Sequence, residues 1–218
     1  MSTARSTVMA RIREALGRTQ PPSLAEARAD LARRVPDAIP RPIWDEPQVE
    51  RFVARLEASA ATWARVNGRA DIPGAVGDYL QDAAEELIGI AAHPLLTELA
   101  WPPAWSISHD MENAASWHTA IAVARAGIAE TGSLVMGSGP ASPTTLNFLP
   151  DRHIVVIAAD EIVDYMEEIW ERFRADGSMP RTINVITGPS RTADVEQTLQ
   201  LGAHGPRSLH VLIVNSAS

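Results

Sequence analysis

The residues best placed to do chemistry sit at two polar turns near the end of this 218-residue chain. Gly188-Pro189-Ser190-Arg191-Thr192 follows an apolar run and opens a stretch, 192–201, that reads as a helix. A helix N-terminus carries about four unpaired amide donors and a partial positive charge, so such a turn can receive an anion. Arg191 adds a planar guanidinium that can grip a carboxylate or phosphate with two hydrogen bonds. Ser190 and Thr192 are either ligand hydroxyls or helix caps, and capping is the commoner task. Asp194 and Glu196 suit the helix dipole but compete with an anionic ligand. In the second turn, His204-Gly205-Pro206, the imidazole can protonate or hydrogen-bond a substrate oxygen.

A second constellation is Ala129-Glu130-Thr131-Gly132-Ser133. A carboxylate among small apolar neighbours can have its pKa raised and serve as acid or base, with Thr131 and Ser133 orienting it or binding substrate oxygens. The alternative is a solvated turn glutamate beside a glycine that the backbone needs. Residues 137–145, Gly-Ser-Gly-Pro-Ala-Ser-Pro-Thr-Thr, form a small-residue loop able to present amides and hydroxyls to a phosphate or carboxylate. It lacks GxGxxG or GxSxG order, and a plain surface loop is the default. Asn147 and Arg152 flank the next strand and can face the same crevice. The six histidines show no metal-ligand spacing, and His210 alternates within a strand as a core residue does.

These groups must be held by a framework, and the apolar pattern predicts one. Short apolar runs at 86–91, 105–108, 120–124 and 127–136 precede stronger ones at 153–159, 182–187 and 209–214. The last three are continuous and β-branched, as in strands covered on both faces. With helices over 162–174 and 192–201 between them, they predict a parallel α/β unit. Upstream, helices are expected at 2–17, 24–34, 46–67 and 72–84. Six prolines between 21 and 47 mark an extended arm. The expected organisation is a helical, proline-interrupted extension over 1–70 and an α/β domain over 71–218.

The blocks AGIAETGSLV (126–135), GPSRTADVE (188–196) and GAHGPRSLHVLIV (202–214) resemble the signatures of the lactate-utilization (LUD) domain family, in its C branch. The resemblance implies a mostly parallel sheet of the sugar-phosphate isomerase/CoA-transferase-like type. It further implies a cytoplasmic subunit that helps oxidise L-lactate to pyruvate beside iron–sulfur partner proteins. On the matching positions it implies Glu130 and His204 as catalytic candidates. Gly188, Ser190, Arg191, Thr192, Gly205, Thr131 and Ser133 become candidates for holding a small carboxylate.

Composition limits the chemistry. Cysteine is absent, so this chain binds no cofactor through thiolates, and iron–sulfur clusters are expected in the partner subunits. All 19 basic residues are arginines, which removes Schiff-base and P-loop lysines. A net charge of −8 argues against nucleic acid as the partner, and no apolar run is long enough for a membrane helix. Residues 1–70 hold 12 arginines against 8 acids, whereas 71–218 hold 7 against 19. The first third therefore complements the rest, either by folding back on it or by docking on an acidic partner. Two other functions stay open: a freestanding isomerase or acyl/CoA-transferase-like enzyme on a small phosphorylated or carboxylated substrate, and a non-catalytic assembly subunit.

Overall fold

The computed structural model describes residues 2–17, 22–34, 41–81, 87–110, 114, 116–177, 179–193, 199–201 and 205–215. Asp194, Glu196 and His204 lie outside the described residues. The chain divides into two units, Met1–Trp44 and Asp45–Ser218. The first holds α1 (Ser2–Ala15) and α2 (Leu24–Arg34). Helix α2 starts on a reciprocal cap: Glu26 N–H donates to Ser23 Oγ at 3.2 Å, and Ser23 N–H donates to Glu26 Oε2 at 2.8 Å. Val8, Met9, Ile12, Leu24 and Leu31 are all exposed.

The second unit opens with α3 (Gln48–Ala58), whose Phe52 and Leu56 are fully buried. The helix expected over 46–67 stops early because Ala60 turns left-handed at φ 63°, and Thr62–Val66 becomes strand β1. That strand belongs to the main sheet, so residues 45–70 join the α/β unit and the expected boundary at 70 moves to Trp44. Helix α4 (Ile72–Leu80) follows a short 3-10 turn, Arg69–Asp71.

Six strands form the main sheet, in the order β1, β12 (Ser208–Val214), β7 (Arg152–Ala158), β4 (Thr119–Val123), β2 (Ile88–Ile90), β3 (Ile107–Ser108). Every pairing in it is parallel. At its centre, Ile154–Ile157 of β7 and Val211–Ile213 of β12 are 0 % exposed, which is why these runs are apolar without alternation. Burying each such side chain stabilises the fold by roughly 1.5–3 kcal/mol.

A smaller sheet runs β8 (Ile162–Val163), β5 (Ala126–Ile128), β6 (Ser133–Gly137), β9 (Ile183–Ile186). Its apolar side carries Ala126, Ile128 and Val135, packed with Ile169 and Phe173 of α6 (Met166–Ala175). Two expectations fail here. The run at 182–187 is a partly exposed edge strand antiparallel to β6, not a buried strand of the main sheet. The predicted helix at 192–201 is replaced, at its described ends, by an antiparallel ribbon of β10 (Arg191–Ala193) and β11 (Leu199–Leu201). The chain thus leaves the main sheet after β7, contributes to the small sheet and the ribbon, and returns as β12.

The order of the main sheet contains one reversal. From β2 the chain steps outward to β3, then crosses to the other side of β2 for β4 and continues away through β7 and β12. The C-terminal ends of β2 and β4 therefore flank the switch point, where open α/β sheets leave a crevice.

Candidate functional site

A cleft occupies that crevice. Beyond β2 it is lined by His93; Val123, Ala124 and Arg125 line it at the end of β4, and Ala158 at the end of β7. It has two lobes of about 670 Å³ each, meeting at His93 and Val123–Arg125. One lobe is walled by the loop 137–142 and by Met179, Pro180 and Arg181. Its wall is braced where Ser138 N–H donates to Thr182 O and Thr182 N–H donates to Ser138 Oγ, each at 2.9 Å. The other lobe has a floor of Ala126, Ile169 and Phe173 and a rim of Asp160, Glu161, Arg172 and Asp176.

The electrostatics of the lobes differ. Arg125 pairs with Asp176 and lies 5.5 Å from the centre of the Phe173 ring, while Arg172 pairs with Glu161. His93 caps the short helix α5 (Pro94–Thr97) by accepting the Leu95 N–H at 3.2 Å through Nδ1. Burial also pushes its pKa below the ordinary value, and a neutral ring that accepts at Nδ1 carries its proton on Nε2, a donor. Sequence reasoning weighed loop 137–145 only as a weak cradle and did not single out His93, Arg125 or Arg181. A histidine followed by proline just after the buried run at 88–91 was the available signal.

The two signature constellations lie elsewhere, and they meet each other. Ser133 Oγ is 2.6 Å from both Thr131 Oγ1 and Thr187 Oγ1, which joins β6 to the end of β9. Gly132 (φ 67°) and Gly188 (φ 77°) press on the last turn of α3. A Cβ on Gly132 would stand 2.7 Å from the Leu56 nitrogen, and one on Gly188 would stand 2.4 Å from Ser59 O. Only glycine fits positions both left-handed and this crowded. Arg191 Nη2 donates to the same Ser59 O at 3.0 Å, and Ser190 N–H donates to Pro206 O at 2.8 Å, with Gly205 against the Ser190 side chain. Glu130 is half-buried, its N–H donating to Asp164 O at 3.1 Å. Thr192 sits in β10 of the ribbon.

This junction stands at the starts of β1 and β12, whereas the cleft lies at the C-terminal ends of β2, β4 and β7. Asn147 and Arg152 also miss the cleft. Asn147 is buried, and Arg152 begins β7, its Nε donating to Thr119 Oγ1 at 3.0 Å. With the helix at 192 gone, Arg191 and Ser190 no longer stand at a row of free helical amides.

Fold and site together define an open, mostly parallel α/β protein with a charged cleft at its topological switch point. Residues 49–214 match the LUD domain model, and the chain belongs to that family. It is 38% identical over 91 residues to a lactate utilization protein C of Geobacillus, covering 40% of this chain and 38% of that protein. A Deinococcus radiodurans lactate utilization protein C is 29% identical over 214 residues, 88% of this chain and 98% of that protein. The crystal structure of a DUF162 family protein from Deinococcus radiodurans superposes with a TM-score of 0.59 at 21% identity, over 79% of this chain and 99% of that one.

Proposed function

We propose that this protein is a subunit of a cytoplasmic L-lactate oxidation system that acts with iron–sulfur partner proteins. The observation that carries the reading is the match of residues 49–214 to the LUD domain, alongside relatives named for lactate utilization. Oxidation of lactate to pyruvate removes two electrons, and a chain without cysteine cannot hold a cluster on thiolates, so a partner or a bound cofactor receives them, and this reading assigns them to the iron–sulfur partners. The switch-point cleft supports carboxylate binding. Arg181 offers a guanidinium without an ion-pair partner among the described residues, and neutral His93 offers Nε2–H to a hydroxyl or keto oxygen. In this reading Arg191, Gly132 and Gly188 brace the end of α3.

The test is lactate-dependent dye reduction by the native complex captured on a tagged copy of the chain. Arg181→Ala should lower activity about tenfold or more, the loss of one charge-assisted contact, while Arg191→Ala should change it little once folding is matched. The reverse pattern would move the site to the signature junction, with Glu130 and His204 its acid–base candidates. Clean capture without partners or activity would overturn the lactate reading in favour of a freestanding enzyme on a small phosphorylated or carboxylated acid.

A further inference from the structure

Helix α1 carries an apolar stripe that nothing covers. Val8, Met9 and Ile12, with Leu16 just past its end, are between 40 and 63 % exposed. At about 3.6 residues per turn the four share one side of the helix, with Arg11 and Arg13 along its two margins. Arg5, Arg11 and Arg13 have no ion-pair partner among the described residues. A contiguous apolar strip rimmed by charge is a contact surface rather than a solvated face.

The complement to that strip is found on the second unit. The first 44 residues hold 8 arginines against 4 acids, and the remaining chain holds 11 against 23. Residues 160–176 alone carry seven acids and two arginines. Helix α6 lies in this stretch. It buries Ile169 and Phe173, and it leaves Glu171 exposed with Glu167 and Trp170 half-buried. Glu161 and Asp176 are paired with Arg172 and Arg125, whereas Glu167 and Glu171, one helical turn apart, engage no arginine among the described residues. A half-buried tryptophan beside free carboxylates suits an apolar helix edged with guanidinium groups, through packing, cation–π contact and ion pairing. The stripe is open in the single chain, so the acidic surface that covers it belongs to another molecule. Residues 41–47 form neither helix nor strand, and Pro42 and Pro47 favour an extended segment with the reach for such an exchange.

We infer that α1 of one molecule docks on α6 of a second copy of this chain. Its apolar stripe packs on Trp170, and Arg11 and Arg13 pair with Glu167 and Glu171. Each copy gives one arm and receives one, which closes the assembly as a two-fold dimer. The docked arm lies against the helix whose buried side floors the cleft.

Sedimentation equilibrium of the full-length protein over a range of concentrations tests this with two charge-reversed variants. One is Arg11→Glu/Arg13→Glu, the other Glu167→Arg/Glu171→Arg. The native chain should dimerise, and each variant alone should dimerise at least about tenfold more weakly, because like charges then meet. An equimolar mixture of the two should regain the native dimer, since the reversed arm of one meets the reversed α6 of the other and the remaining contact is native. Ile12→Asp should weaken the dimer similarly, without rescue by mixing. All of these side chains are at least partly exposed, and thermal melts check that folding survives. A monomeric native chain would overturn the inference, as would a dimer indifferent to both reversals or a mixture no tighter than its components; an arm folded on its own molecule gives the first result. Dimerisation needs no lactate, so it stands or falls apart from the dye-reduction result.

Discussion

His153 is buried at the start of β7, and neither ring nitrogen has a hydrogen-bond partner. Burial drives its pKa down to about 4 from 6.5. His210, on the neighbouring strand, stacks on Tyr79 at 4.0 Å and shares a 2.8 Å hydrogen bond with Thr62, and burial lowers it to about 4 as well. A depressed histidine pKa means that the unfolded chain binds the proton first. The stability of the neutral ring is therefore whole above pH 6.5 and drains away as the pH falls towards about 4. For His153 the span corresponds to roughly 3 kcal/mol. Urea melts at neutral pH and near pH 4.5 check this: His153→Leu should lose markedly less stability on acidification than the native chain. An equal loss would mean that the ring finds a partner or a proton in the folded state.

The elements explain what could be read from the sequence and what could not. The strongest strands, β7 and β12, were legible because burial on both faces demands continuous β-branched runs. Helix α2 was legible to the residue, its Ser23/Glu26 cap written in the chain. Helix α3 was read too long because Trp63 continues a helical spacing by coincidence, while Thr62–Val66 also fits a strand and finds β12 as its partner. The ribbon of β10 and β11 was misread because its composition suits a helix; pairing of Arg191–Ala193 with Leu199–Leu201 decided against local preference. The cleft was hidden for a different reason. Its loop wall, 137–142, lies in a segment legible as a possible anion cradle, but the rest comes from separate residues at the ends of β2, β4 and β7, and no contiguous motif records a topological reversal. The signature glycines are conspicuous because they are sterically demanded. Accordingly, Gly188→Ala should destabilise the protein by about 2–3 kcal/mol in denaturant titration, with the ligand affinity of the folded fraction unchanged. A fully stable alanine variant would show that the turn relaxes away from Ser59.

At the scale of the molecule, the core is confined to the second unit. Among the described residues, every buried apolar one lies between Phe52 and Val214, and none in the first unit is buried. The unit Asp45–Ser218 should therefore fold without the first 44 residues and unfold in one cooperative transition. A fragment of residues 45–218 monitored by calorimetry and circular dichroism tests this, and a broad, non-coincident transition would show that the arm completes the core.

The pairing of β1 with β12 also sets a schedule for synthesis. Thr62 aligns with His210, so an early strand waits on the ribosome for a neighbour made about 150 residues later. Until β12 emerges and inserts between them, β1 has no ladder to join and β7 keeps one side open. Such long-range closure is slow, and it exposes unpaired strand edges while it waits. Any pause in translation before residue 208 leaves two sticky edges on the nascent chain, which makes this last strand the point at which chaperone protection counts most.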